Sequence, residues 1–125
     1  LLAVETVLGG DKCLEAVAGR FADTAVPFAG YEMHVGRTDG GDRARPLLTF
    51  ADGRPEGAVA ASGRVAGAYV HGLFASDAAR AHVLAALGAP PSDLAYEPRV
   101  EATLDALAAH VAAHVDLDRL WRMAR

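Results

Sequence analysis

Cysteine, lysine and aromatic side chains are scarce in this 125-residue chain, and each scarcity removes a class of function. The one thiol, Cys13, has no partner for an internal disulfide or a thiolate zinc cluster, so a reducing, cytoplasmic setting is the simplest expectation. Lys12 stands alone beside eleven arginines, and sixteen acidic against twelve basic residues give a formal charge of −4. That balance leaves no basic footprint for nucleic acid or an anionic membrane. At 6% aromatic content, platforms for stacking unpaired bases are few. No run approaches the roughly 18 uncharged apolar residues of a membrane helix, and Leu1-Leu2-Ala3-Val4-Glu5 lacks the basic lead of a secretory signal.

What the chain does have is small apolar residues. Alanine supplies 28 positions and 52% of the sequence is apolar, enough for one modest core built with small-residue helix packing. One compact domain, or part of one, follows. The chain opens inside an apolar run without a Met or a polar lead-in, and it reads as a C-terminal piece of something longer. An unpaired strand edge and self-association into a homo-oligomer are then expected.

Periodicity divides the sequence into a strand-rich stretch, 1–74, and a helical one, 75–125. Leu1 to Val7, bounded by Gly9-Gly10-Asp11, has the pattern of a buried strand ending in a loop. From Phe28 to Val35 polar and apolar residues alternate, which places Tyr31, Met33 and Val35 on one face and Glu32 with His34 on the other. The glycine-rich polar stretch Arg37 to Arg45 predicts a mobile surface loop. Leu47 to Ala51 and Gly57 to Ala60 are strand candidates around Asp52-Gly53, and Ala61-Ser62-Gly63-Arg64 signals a further hairpin. A third run, Val65 to Val70, delivers His71 to a turn at Gly72. Ser76 as N-cap and Gly88 as stop define a helix over 77–87. Val100, Leu104, Leu107 and Val111 form an apolar stripe, and Asp116 caps a last short helix with Leu117, Leu120 and Trp121. Both of these are expected to pack against a core.

Candidate chemistry centres on His71. A histidine at a strand end, followed by glycine and a helix, occupies the position where reacting groups collect in open α/β sheets, and its ordinary pKa near 6.5 suits it to take and return a proton. The opposing reading is a hydrogen-bonded structural histidine. Cys13 has a cationic neighbour in Lys12, yet no nucleophile elbow surrounds it, and burial as a small hydrophobe accounts for it as well. Ser62 and Ser76 fit turn and cap roles. His110 and His114 stand at i, i+4 on a helix without a third ligand, and His82 has less to recommend it, so no metal site is assigned. Gly9-Gly10-Asp11-Lys12 lacks the Ser/Thr of a phosphate loop. Arg37 could hold a carboxylate in a bidentate pair, relevant to an amino-acid substrate, or could tip a solvated hairpin.

Three segments go beyond pattern: Val4-Glu5-Thr6 with Gly10-Asp11-Lys12, Gly30-Tyr31-Glu32-Met33-His34-Val35-Gly36-Arg37-Thr38, and Tyr69-Val70-His71-Gly72-Leu73-Phe74. In this order and spacing they resemble the cobyric acid and cobyrinate a,c-diamide synthase group. The tail from Arg99-Val100-Glu101 to Leu117-Asp118-Arg119-Leu120 is similar to the cobyric acid synthase family in particular. The resemblance implies the C-terminal portion of a class I glutamine amidotransferase domain, with a flavodoxin-like α/β fold. It implies His71 as the histidine that assists a cysteine nucleophile lying upstream of Leu1, and Glu32, His34 and Arg37 as substrate-binding residues. It further implies glutamine as substrate, a corrinoid acceptor, and ATP with Mg2+ on a synthetase domain outside this chain. Residues 1–125 themselves would need no cofactor and would not hydrolyse glutamine alone. Position 73 is Leu where many such enzymes carry Glu, which leaves Glu32, Glu5 or no carboxylate to orient the imidazole. The competing expectations are the related diamide synthase and a non-catalytic module that binds a partner protein.

Overall fold

A computed structural model describes residues 1–124, which divide into two compact units, Leu1–Ser92 and the residues from Asp93 onward. It is a mixed α/β architecture with strands through His71 and helices thereafter. The first unit is built on a long hairpin, β1 (Glu5–Phe21) and β2 (Pro27–Asp39), closed by the Phe21 amide donating to the Val26 carbonyl at 3.0 Å. β3 (Leu48–Phe50) pairs with the end of β1, β4 (Pro55–Glu56) with β3, and β7 (Val70–His71) with β2, giving the order β4-β3-β1-β2-β7. β5 (Ala58–Val59) and β6 (Ala66–Gly67) form a separate two-stranded ribbon. Among the described residues every pairing is antiparallel.

Two sequence expectations fail here for the same reason, a tertiary pairing that overrides a local signal. The opening residues are not a buried strand: Leu1 is fully exposed, and β1 begins at Glu5 and runs straight through Gly9-Gly10. Register passes from Val7↔Arg37 to Lys12↔Val35, so residues 8–11 bulge out opposite Gly36. The glycines permit the excursion, Gly10 with φ 83°, and the strand resumes because β2 continues beside it. Nor is Arg37 to Arg45 a mobile loop. Its first residues complete β2, and Gly41–Ala44 forms a 3-10 turn pinned by the buried Asp42, which accepts from the Ala3 amide at 2.7 Å and pairs with Arg45. The third run also splits, β6 and β7 joining different sheets.

The core lies on one face of the sheet. Phe21, Phe28, Leu48, Phe50, Leu73 and Ala79 are buried together, with Phe21 edge-on to Phe28 at 6.4 Å between ring centroids. Complete burial of a side chain such as Phe21 or Leu48 stabilises by about 2–3 kcal/mol each. Helix α1 (Asp77–Ala86) covers this face through Ala79 and Val83, starts where Ser76 Oγ accepts from the Ala79 amide at 3.3 Å, and stops at Gly88. Both of its ends agree with the sequence signals. In the second unit α2 (Tyr96–His114) precedes α3 (Leu117–Met123), whose Asp116 cap accepts from the Arg119 amide at 2.9 Å. Their apolar stripe was expected to be packed away, yet none of their residues is buried and Leu104 and Leu107 stay more than half exposed.

Gly30 governs how closely β7 approaches β2. A Cβ at this position would strike the His71 carbonyl oxygen and lie 2.9 Å from Val70 Cγ1. Gly30→Ala is therefore expected to cost about 1–3 kcal/mol in thermal or urea unfolding. In amide hydrogen exchange the loss of protection should be confined to the Tyr31–Glu32 and Val70–His71 pairing.

Candidate functional site

Side-chain alternation on β2 carries Phe28, Gly30, Glu32 and His34 to the core face, the first buried in apolar contact and the third inside a polar cleft. Glu32 is only 3% exposed. It is held by Arg54, which follows the Asp52-Gly53 turn and donates from both terminal nitrogens, 3.0 Å to Oε1 and 2.7 Å to Oε2. The guanidinium lies over the Phe50 ring at 4.3 Å. His34 adds a contact from Nε2 to Glu32 Oε1 at 3.2 Å. These partners, Arg54 foremost, hold the Glu32 carboxyl below its ordinary range against the opposing pull of burial.

The far wall is Tyr69. Its ring lies 5.0 Å from that of His34, and its hydroxyl meets Thr38 Oγ1 at 2.7 Å and Thr6 Oγ1 at 3.2 Å, contacts that lower the phenol pKa. Its amide donates to the buried Glu56 at 2.8 Å. Glu32, His34, Thr38, Arg43, Arg54 and Tyr69 thus border a cleft of about 300 Å³, with Arg37 exposed at its rim. An ion-paired polar floor beside the exposed Arg37 guanidinium can accept a small molecule bearing a carboxylate.

The structure brings Glu32, His34 and Arg37 to this one cleft and leaves His71 outside it. In the register, Glu32 faces Val70 and Tyr31 faces His71. Val70 turns toward the core, so His71 and the exposed Tyr31 share the opposite face. The imidazole is exposed at the end of β7, before Gly72 in the left-handed region at φ 78°. Glu32 is engaged elsewhere, and Glu5 pairs with Asp39 at the distant end of the hairpin, so neither is positioned to orient it. Cys13 lies opposite His34, on the face away from His71. His110 and His114 stack at 4.2 Å, with His114 Nδ1 engaged by the His110 carbonyl. Sequence reasoning missed Arg54, Glu56 and Tyr69, whose roles exist only once folding brings the β3–β4 turn, β4 and the approach to β7 together at the cleft.

A family model described as CobB/CobQ-like glutamine amidotransferase domain matches residues 1–79. Proteins named cobyric acid synthase from Bradyrhizobium sp. and Xanthobacter autotrophicus are 55% and 59% identical to the chain over its whole length. One from Methylorubrum populi is 57% identical, again over the whole chain. The chain spans about a quarter of the length of these relatives. No solved structure matches it.

Removing the guanidinium leaves a buried carboxylate unpaired. Arg54→Met is expected to destabilise by about 2–3 kcal/mol, at the low end for a broken buried pair because the cleft is open to water. A depressed carboxyl pKa contributes stability that is present above the unfolded value of 4.5 and lost as pH falls through the folded one. In urea titrations at a series of pH values followed by circular dichroism, the stability difference between the unaltered chain and Arg54→Met should therefore narrow as pH falls below 4.5, because protonation removes the charge that Arg54 pairs.

Proposed function

Because the chain belongs to the CobB/CobQ-like glutamine amidotransferase family, we propose that it forms the C-terminal part of the glutaminase domain of a cobyric acid synthase in cobalamin biosynthesis. The single observation that carries the reading is the exposed His71 at the end of β7, inside the stretch that the family model matches. On this reading the antiparallel sheet completes a flavodoxin-like α/β layer whose remaining strands, with the nucleophile elbow, belong to another part of the parent protein.

In the proposed chemistry His71 draws the proton from an elbow cysteine contributed by that other part. The sulfur attacks the side-chain amide carbon of glutamine, and the carbon–nitrogen bond breaks as the imidazolium returns its proton to the leaving ammonia. Water then cleaves the γ-glutamyl thioester to glutamate. The ammonia amidates corrin-ring carboxylates activated as acyl phosphates by ATP and Mg2+ on a synthetase domain. Glu32, His34 and Arg37 serve the cleft, the first two with Arg54 as a fixed polar floor and the last as a rim cation for a carboxylate. Cys13 is unsuited to the nucleophilic role, since the sheet separates it from His71.

Residues 1–125 alone should show no glutaminase activity. In an intact parent enzyme, His71→Gln should reduce glutamine-driven amidation to background while amidation with added ammonium salt persists. Loss of both activities, or of neither, overturns the assignment. Persistence of both would favour a shell that only binds partners.

A further inference from the structure

Two cross-strand pairs of the β1–β2 hairpin, separated by the Leu14↔Met33 pair, place an unusual set of groups on one face. Cys13 lies directly opposite His34, and Glu15 directly opposite Glu32. Opposed residues of an antiparallel pair project to the same side, so a thiol, an imidazole and two carboxylates share one patch beside the cleft. The Cys13 sulfur, a ring nitrogen of His34 and a carboxylate oxygen of Glu32 all lie within 4.8 Å of one another. Glu15 faces Glu32 across the pair, and like charges directly opposite each other destabilise a sheet. Arg54 and His34 already meet the Glu32 charge, so the observation that carries the site is the convergence of three different donor atoms.

We propose that Cys13, His34 and Glu32 form a binding site for a thiophilic divalent cation of the zinc class, argued from the hairpin geometry alone and sharing Glu32 and His34 with the cleft floor. Sulfur and imidazole nitrogen select such a cation over Mg2+ or Ca2+, which require oxygen ligands. With bonds near 2.3 Å to sulfur and 2.0–2.2 Å to nitrogen and oxygen, tetrahedral donors stand roughly 3.3–3.7 Å apart. The present spacing closes to that by rotation of side chains about an ångström inward. On binding, the Cys13 thiol releases its proton to solvent as the sulfur–metal bond forms, and the His34 nitrogen exchanges its contact with Glu32 for the metal. Arg54 keeps its 2.7 Å contact to Glu32 Oε2 and releases Oε1 to the metal, as outer partners of metal ligands orient them, and Tyr69 stays beside the imidazole in a tilted ring contact. Water completes the fourth position.

The probe is Co2+ titrated into the full 125-residue chain under reducing conditions, followed by optical absorption and then displaced by Zn2+. Cys13 is the only thiol, so a sulfur-to-cobalt charge-transfer band reports that residue alone. The expected result is one equivalent of Co2+ with this band, and Zn2+ protection of Cys13 from alkylation by iodoacetamide. Cys13→Ser should abolish the band and weaken Zn2+ binding at least about tenfold, and His34→Gln should weaken it comparably. Both variants are first confirmed as folded by circular dichroism, with Cys13→Ala standing in for a serine variant that fails. A double His110→Ala, His114→Ala variant should bind as before. Binding without the charge-transfer band, binding lost with the helical histidines instead, or no protection of Cys13 overturns the proposal.

Discussion

The two-pronged contact of Arg54 with Glu32 is the constraint on which the first unit depends. It sets a carboxylate on the inward face of β2 among the aromatic residues of the core, where an unpaired charge would be heavily penalised by desolvation. The arginine comes from the tight turn between β3 and β4. The ion pair therefore fastens that turn to a strand two places away in the sheet, and the stack on Phe50 fixes the guanidinium over the hydrophobic layer. Glu56, at the end of β4, repeats the device by receiving the Tyr69 amide. Two buried carboxylates, neither bonded to the other, thus tie the β3–β4 turn to the hairpin and β4 to the segment that leads into β7.

This bracing explains the unusual polarity of β2. Tyr31, Met33 and Val35 are its apolar members, and a hydropathy argument alone would turn them inward. The opposite face is the covered one. Alternation correctly joined Glu32 with His34, because a strand period of two is imposed by covalent geometry. Which of the two faces would be buried was not legible, because the answer lies in Arg54, two turns of chain away. The same limit applies to Tyr69, whose hydroxyl finds Thr6 and Thr38 only after three strands assemble.

Elements governed by local chemistry were legible. Ser76 and Asp116 cap helices where their short polar side chains can reach free amides, and Gly72 makes the left-handed turn that a residue with a Cβ would resist. The failures share a cause. Gly9-Gly10 reads as a terminator in one dimension, but a neighbouring strand supplies hydrogen bonds on both sides of the pair and the chain passes through it as a bulge. Asp42, in a stretch of loop composition, finds the Ala3 amide across 39 residues and turns a flexible-looking segment into an anchored one. The unburied stripe of α2 shows the converse, a helix written clearly into sequence whose partner is not.

The antiparallel connectivity also sets an order of assembly. β1 and β2 meet across a five-residue turn, a closure that takes microseconds. β7 reaches β2 only by joining residues roughly forty positions apart, at an entropic cost of about 3 kcal/mol, for a pairing two residues long. The hairpin therefore offers the template on which β7 docks, and a pairing of two residues secures that strand far less than the long register between β1 and β2. In a chain emerging from the ribosome, the placing of β7 would trail behind the shape of the hairpin.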